Sequence, residues 1–129
     1  MINHREVVFP MKMAKIEAAM RAALAFNQAV NRHDVAGMMA LVREDCLFEA
    51  SGPAPDGERI CGRAALTAYW QAFFQAAPQA QREVEELFGL GMRCVLRWRW
   101  TGTPTPTRGV DIVTVQEGLI CLHLSYVKG

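Results

Sequence analysis

Three polar side chains near the end of the chain, Asp111, His123 and Ser125, are of types that hold or transfer protons. Alternating apolar and polar residues around them predict two strands joined by a tight turn at Glu117-Gly118. Residues whose numbers sum to about 235 would then face each other, so we expect Asp111 to lie near His123 or Leu124. A carboxylate and an imidazole in an apolar pocket can act as a general acid/base pair. Such a pair can equally be a structural hydrogen bond between two buried polar groups, and both interpretations stay open.

Other catalytic chemistries lack their residues in this sequence. Its cysteines, Cys46, Cys61, Cys94 and Cys121, form no Cys-x-x-Cys pair, and no histidine is spaced to complete a zinc site with them. No Gly-x-Ser-x-Gly turn is available to expose a serine nucleophile. The sequence therefore predicts no metal and no cofactor. Unpaired cysteines of this kind favour a reduced, cytoplasmic protein.

Length and charge exclude several classes of protein. The 129 residues suffice for one domain, and no apolar stretch has the length of a membrane span. With 14 basic and 13 acidic residues the net charge is +1, so the basic excess of a general nucleic-acid binder is absent. Residues 1–13 lack a signal-peptide pattern and are interpreted as a loose lead-in. Residues 14–129 are then the single domain.

Hydrophobic spacing indicates helices first and strands afterwards. Apolar residues recur every three or four positions in two long segments, and the period changes to two after Pro78. Consecutive hairpin strands after helices predict an α+β fold, a curved antiparallel sheet with helices on one face. The predicted helices are 15–31, 35–42 and 62–77, and the predicted strands are 46–51, 81–88, 92–101, 108–116 and 119–127.

Alternation along the second hairpin strand separates aromatic from charged residues. Trp98 and Trp100 fall on one face, which we expect to be concave and to form a pocket wall. Arg97 and Arg99 fall on the other face, where a turn at Leu90 would place Arg97 opposite Glu83. That face is therefore predicted to be the outer face or the dimer face.

Further residues are candidates for the pocket. Tyr69 and Phe73 belong to the apolar stripe of a helix and either pack in the core or line the pocket mouth, and Val113 shares the strand face of Asp111. Glu86 either points inward as a second buried acid or is turned outward by a bulge. The Thr/Pro-rich loop at 101–107 either forms a rim of the pocket or is an inert connection.

Four short motifs occur in an order that resembles a known superfamily. They are Phe26-Asn27-x4-Arg32-His33-Asp34, Gly62-Arg63-Ala64-Ala65-Leu66, Arg108-Gly109-Val110-Asp111 and Glu117-Gly118-Leu119-Ile120. From about Lys15 onward the chain resembles nuclear transport factor 2-like (cystatin-like) proteins, and within them the SnoaL-like polyketide cyclase group. The resemblance implies a cone-shaped sheet, packed by about three N-terminal helices, that encloses an apolar pocket. It also implies a homodimer that associates through the sheet.

The resemblance extends only partly to the chemistry of the relatives. At the positions of the tyrosine and the aspartate base of ketosteroid isomerases, this chain has Phe26 and Ala50, which cannot move a proton. The third position, an aspartic acid that an apolar site keeps neutral in ketosteroid isomerases, corresponds to Asp111 in this chain. The acid of limonene epoxide hydrolases and polyketide cyclases falls on Ser125, which cannot protonate a leaving oxygen as a carboxylic acid does.

We therefore predict a pocket protein for an apolar small molecule, a cofactor-free enzyme of the isomerase, cyclase or dehydratase kind. Asp111 is the predicted acid or base and His123 its partner. The predicted ligand-binding residues are Phe26, Ala50, Tyr69, Phe73, Trp98, Trp100, Val113 and Ser125. The alternative is a non-catalytic binding or interaction module of the same fold, which the residues at positions 26, 50 and 125 favour. No nucleic acid or membrane is an expected partner.

Overall fold

Over the residues whose backbone is described, the protein folds as three helices packed on a six-stranded sheet. The computed structural model describes the backbone of residues 4–129 and the side chains of residues 17–129. The helices are α1 (His4–Asn31), α2 (Val35–Met39) and α3 (Arg63–Ala76). The strands are β1 (Val42–Glu49), β2 (Arg59–Cys61), β3 (Gln81–Leu90), β4 (Arg93–Thr101), β5 (Thr107–Gln116) and β6 (Leu119–Val127).

The sheet is open and largely antiparallel, with the strand order β2-β1-β6-β5-β4-β3. Only β1 and β6 pair in parallel, and the last four strands form consecutive hairpins. The α+β class predicted from the sequence is therefore confirmed. Strand β5 lies between β4 and β6, so hydrogen bonds to both neighbours fix the positions of the side chains on β5.

Helix α1 begins at His4, so the prediction of a loose lead-in over 1–13 is wrong for residues 4–13. Residues 1–3 of that prediction lie outside the described residues. Apolar residues at helical spacing are visible only from Ile16 onward, which is why the sequence placed the start near Lys15. A helix that has already formed extends at the cost of ordering one residue for each new hydrogen bond.

The core lies between the helices and one face of the sheet. Helix α3 buries Leu66, Trp70 and Phe74, which recur every four residues on one face. Helix α1 buries Phe26 and Val30 against the same core. Full burial of one such side chain stabilises the fold by about 1.5–3 kcal/mol. This packing holds α1 over β3, β4, β5 and β6, which carry the polar side chains described below, and α3 over β1 and β2.

A bulge in β3 changes which charged residues face each other. The register shifts between Val84 and Glu86, so Glu86 is opposite Arg97, and Glu83 is opposite Arg99. The expected Arg97–Glu83 pair is wrong, because the turn follows Leu90 instead of being centred on it, and this places Arg97 opposite Glu86 on the turn side of the bulge. Glu86 points outward and lies 3.2 Å from Arg97. The charged face is the outer face, as predicted.

The strand and turn boundaries differ from prediction in three places. β1 begins at Val42 rather than Cys46, and β2 was not predicted, because charged residues and a three-residue length leave no alternating pattern. β3 continues to Leu90, so the turn follows it rather than including it. The turn at Glu117-Gly118 is where it was predicted, and both residues have positive φ.

Candidate functional site

A buried carboxylate, that of Asp111, accepts hydrogen bonds from three side chains. Its Oδ2 atom lies 2.6 Å from His123 Nε2 and 2.9 Å from Arg82 Nη1. Its Oδ1 atom accepts from Trp98 Nε1 at 2.8 Å. Asp111 is 1% exposed, and Arg82, Trp98 and His123 are also buried. We call these four residues the polar cluster.

The register of the last three strands assembles three members of the polar cluster. Asp111 in β5 is opposite Leu96 in β4 and Ser125 in β6, and His123 lies two residues from Ser125 on the same face. A bulge between Thr114 and Val115 moves the pairing one residue from that expected from the turn. The predicted proximity of Asp111 and His123 is confirmed, and they meet on a diagonal rather than directly across the strands.

Gly109 makes room for the indole of Trp98 over β5. The two residues are directly opposite in the register. A Cβ atom at position 109 would lie 2.7 Å from Trp98 Cζ2 and would also meet the carbonyl oxygen of Tyr126. The absence of a side chain at this position therefore lets the Trp98 indole reach the Asp111 carboxylate.

Arg82 is held by two asparagines of α1. Its Nε donates to Asn27 Oδ1 at 2.6 Å, and its backbone N–H donates to Asn31 Oδ1 at 2.6 Å. The Arg82 carbonyl oxygen accepts in return from the side-chain amides of Asn27 and Asn31. Residues four apart share a helix face, so both asparagines point at the same residue of β3. Helix α1 thus holds both the backbone and the side chain of Arg82 in position.

The Arg82–Asp111 contact is a buried ion pair. Burial alone would raise the pKa of Asp111, but His123 and Arg82 outweigh it and hold this pKa below the usual range of a carboxyl group. Burial lowers the pKa of Arg82, and the charge of Asp111 opposes that change. A guanidinium keeps its proton in proteins. Asp111 is therefore ionised at neutral pH, and a carboxylate can only accept hydrogen bonds.

His123 consequently donates from Nε2, and its other ring nitrogen is available to a cavity. In the part of the chain whose side chains are described, no fully buried side-chain nitrogen or oxygen lacks a partner. Nδ1 of His123 has no partner there, so it is in contact with open space, and His123 lines a cavity. Phe26 and Phe48 pack against the ring, with centroid distances of 5.6 and 4.5 Å. The imidazole is therefore fixed in position with one nitrogen open.

The cavity has a volume of about 420 Å³, within the range of small-molecule sites. Its wall is mostly apolar, and all four residues of the polar cluster line it. The aromatic lining residues are Phe48, Tyr69, Trp70, Phe73, Trp98 and Trp100. The loop after β4 contributes Thr103, Pro104 and Thr105, so this loop borders the cavity.

Five of the eight residues predicted to bind a ligand line the cavity: Tyr69, Phe73, Trp98, Trp100 and Ser125. The Ser125 hydroxyl lies 2.9 Å from that of Ser51, a lining residue that the sequence did not indicate. Both hydroxyls stand beside the polar cluster on the cavity wall.

The other three predicted ligand residues are buried outside the lining. Phe26, Ala50 and Val113 are each less than 5% exposed and do not reach the cavity wall. Phe26 supports the ring of His123 from behind, edge to face. The strand alternation used for Val113 gave the correct face, but this residue is buried and is not part of the cavity lining.

Sequence reasoning missed Arg82, the residue that most changes the site. A signal was present, because strand alternation separates Arg82 from Gln81 and Glu83 and places it on the same face as the apolar Val84. The pair Asn27 and Asn31, four residues apart on a helix that is otherwise apolar inward, was a second signal. A buried arginine needs such polar partners.

Metal ligands are not grouped in the described part of the chain. No three His, Cys, Asp or Glu residues there are placed to hold a metal ion. Over the same residues, no helix is both long and apolar enough to cross a membrane.

A match to a family model decides the relationship that the motifs suggested. The model of the SnoaL-like domain matches residues 23–123, which include all four residues of the polar cluster. The chain belongs to the SnoaL-like family. The resemblance seen in the sequence is thereby confirmed.

Solved structures similar to this SnoaL-like chain share its fold. An NTF2-like protein of unknown function from Mesorhizobium loti is 35% identical with a TM-score of 0.79, over 89% of this chain and 94% of that one. A "putative ketosteroid isomerase" from Kribbella flavida is 22% identical with a TM-score of 0.77, over 88% and 80%. A "putative polyketide cyclase" from Xanthomonas campestris pv. campestris is 20% identical with a TM-score of 0.71, over 87% and 91%. The last two identities show the fold alone. No curated protein matches the SnoaL-like chain.

Proposed function

We propose that this SnoaL-like domain is a cofactor-free acid/base enzyme of the isomerase, cyclase or dehydratase kind, acting on an apolar cyclic molecule. The observation that carries the proposal is His123, whose Nε2 is held by a buried carboxylate while its Nδ1 reaches an aromatic cavity. An imidazole fixed in this way can take a proton from a bound molecule and return it at another atom. Two neighbours in fold are named as a ketosteroid isomerase and a polyketide cyclase, which is compatible with this chemistry.

The geometry supports separate roles for the two predicted catalytic residues. Asp111 accepts from three donors and its pKa is held low, so it has neither a proton to give nor a strong tendency to take one. His123 is therefore proposed as the group that transfers the proton, and Asp111 as the residue that positions it. In the Ser-His-Asp triad a buried aspartate orients a histidine in the same manner. Ser125 is proposed to orient the ligand by a hydrogen bond.

A second candidate function is a non-catalytic ligand-binding or interaction module. The observation in its favour is that both oxygens of Asp111 accept their hydrogen bonds from protein side chains, as in a purely structural network. The phenylalanine and alanine at positions 26 and 50, where the related isomerases have proton-transferring groups, point the same way. Binding without proton transfer would identify this alternative.

We further propose that the domain works in the cytoplasm as a homodimer formed through its sheet. A row of apolar residues crosses the outer face of the sheet through Phe88, Val95, Ile112 and Leu124, which are paired in register. Phe88 is 52% exposed, and the other three are partly exposed. An apolar row on the solvent side is typical of an interface between subunits.

Proton exchange on a model ketone tests the proposed acid/base function without knowledge of the natural substrate. The probe is 2-tetralone, a neutral bicyclic ketone whose hydrogens beside the carbonyl exchange with deuterium in D2O when a base removes them. We expect the wild-type protein to accelerate this exchange well above the buffer rate, measured by proton NMR. Binding of 2-tetralone is measured in parallel by saturation-transfer NMR.

The controls separate catalysis from binding. Arg97→Gln changes an exposed residue of the outer face and should exchange the probe as the wild type does. If 2-tetralone binds and its exchange remains at the buffer rate, the acid/base function is wrong and the binding module is supported.

A further inference from the structure

The guanidinium of Arg82 has unused donors that face the cavity. Nε donates to Asn27 and Nη1 to Asp111, while Nη2 has no partner among the residues whose side chains are described. Fully buried nitrogens without a partner do not occur in that part of the chain, so Nη2 is in contact with open space. Arg82 is 3% exposed overall and lines the cavity. The open space next to Nη2 is therefore the cavity.

We propose that the cavity takes a ring compound that carries a carboxylate, and that Arg82 Nη2 binds this carboxylate. The proposal rests on the proposed function in one respect, since it names the substrate class of the same cavity. It adds a specificity-determining residue that contacts the ligand and takes no part in proton transfer.

The polar lining of the cavity favours an anion over a neutral group. Among the described residues Asp111 is the one acidic side chain in the lining, and its two oxygens already accept from three donors. Hydrogen bonds from a guanidinium to an ionised acceptor are about twice as strong as neutral ones. Because Asp111 neutralises part of the Arg82 charge, we expect a moderate preference, of about tenfold in affinity.

The position of Arg82 next to an aromatic wall indicates a ring in the ligand. The Cζ atom of Arg82 lies 5.6 Å from the centroid of the Trp100 ring, and Phe73 packs against Trp100 at 5.0 Å. A carboxylate at Nη2 would therefore place an attached ring along Trp100, Phe73 and Tyr69. A cavity of about 420 Å³ has room for a fused bicyclic acid.

A matched pair of probes tests the proposal on the wild-type protein. Isothermal titration calorimetry measures the affinity for 2-naphthoate and for 2-naphthamide, which have the same ring and nearly the same shape and differ in charge. We expect 2-naphthoate to bind about tenfold more tightly. Equal affinities, tighter binding of the amide, or no binding of 2-naphthoate at millimolar concentration would each overturn the proposal.

Variants then assign the preference to Arg82. The double variant Arg82→Met with Asp111→Asn removes both charges together, so that no unpaired charge is buried, and should bind the two probes equally. If this variant does not fold, Arg82→Lys keeps a cation beside Asp111 but loses Nη2, and should show a reduced preference. A preference that persists unchanged in the folded variant would contradict the role of Arg82. The outer-face variant Arg97→Gln should retain the preference.

His123→Gln separates this proposal from the proposed function. Glutamine can still donate to Asp111 but cannot transfer a proton, so the variant should lose 2-tetralone exchange and keep the preference for 2-naphthoate. Preference without exchange in the wild type would mean that the carboxylate site stands while the enzymatic function fails. If the wild type exchanges 2-tetralone but shows no preference for 2-naphthoate, the enzymatic function stands and the carboxylate site is wrong.

Discussion

At the scale of the residue, the site depends on how a buried charge is satisfied. Asp111 is surrounded by the guanidinium of Arg82 and by two ring N–H donors, those of Trp98 and His123, of which His123 also faces the cavity. Removing an ion from water costs several kcal/mol, and only a complete set of partners offsets this. The set therefore fixes the His123 ring as a consequence of stabilising Asp111.

Replacing Asp111 by asparagine should destabilise the protein strongly at neutral pH. Asp111→Asn leaves Arg82 buried and uncompensated, so we expect a loss of about 3–5 kcal/mol in the free energy of unfolding at pH 7. The folded pKa of Asp111 is lowered, so its ionised form stabilises the fold above the unfolded value of about 3.9, and this contribution is lost as pH falls below it. The difference between wild type and variant should therefore shrink from pH 7 to pH 3, measured by urea unfolding.

An exposed aspartate is the matched control for this experiment. Asp45 pairs with Arg43 at the surface, with its side chain 70% exposed. Asp45→Asn should change the free energy of unfolding by less than about 1 kcal/mol at any of these pH values. An Asp111→Asn variant as stable as Asp45→Asn at pH 7 would show that the ion pair does not hold the cluster together.

At the scale of the element, β5 is the strand on which the site depends. It carries Asp111 toward the cavity, and its neighbours supply Trp98 from β4 and His123 from β6. Gly109 is the position at which this strand allows the Trp98 indole to lie against its backbone.

Adding one methyl group to β5 should disturb the cluster without removing any of its members. Gly109→Ala places Cβ within 2.7 Å of Trp98, so we expect a loss of about 1–3 kcal/mol in the free energy of unfolding. The shift of the Trp98 indole proton in NMR spectra reports whether its bond to Asp111 is lost. Gly52→Ala is the control, since a Cβ there meets nothing within 4 Å. Equal stability of the two variants would contradict the tight fit at position 109.

The sequence predicted the elements whose apolar residues recur at regular spacing. It missed the features that depend on pairing with a neighbouring strand. The apolar spacing of Leu66, Trp70 and Phe74 sufficed for α3, and the turn at Glu117-Gly118 sufficed to bring Asp111 and His123 together. The bulge beyond Val84 could not be predicted, because an extra residue in a strand leaves no mark on composition. The three-residue β2 is formed by pairing with β1 rather than by its own sequence.

Arg82 shows the corresponding limit for the site. Strand alternation alone places Arg82 inward, but a charged residue between Gln81 and Glu83 is usually solvated. Its partners come from α1, more than fifty residues earlier, and from β5. The inward asparagines of α1 indicate a polar partner, but only the packing of α1 across the sheet shows that this partner is Arg82.

At the scale of the whole molecule, the fold places an aromatic cavity against a polar cluster and leaves an apolar row on the opposite face of the sheet. The homodimer proposed from that row predicts a mass twice the 14.4 kDa of the chain in light scattering. Leu124→Lys introduces a charge into the row and should give the monomer mass while the domain stays folded. Cys61→Ser, an exposed change at the edge strand, should leave the mass unchanged. A wild-type monomer would contradict the dimer.

The central claim is that His123 transfers protons while Asp111 holds it, and one ratio tests this most directly. It is the ratio of the 2-tetralone exchange rates of the wild type and His123→Gln under conditions in which both bind the ketone. General acid/base catalysis by a positioned side chain contributes about 10²–10⁴-fold. We therefore predict a ratio of at least about 100. A ratio near one, with the ketone bound to both proteins, would contradict the claim.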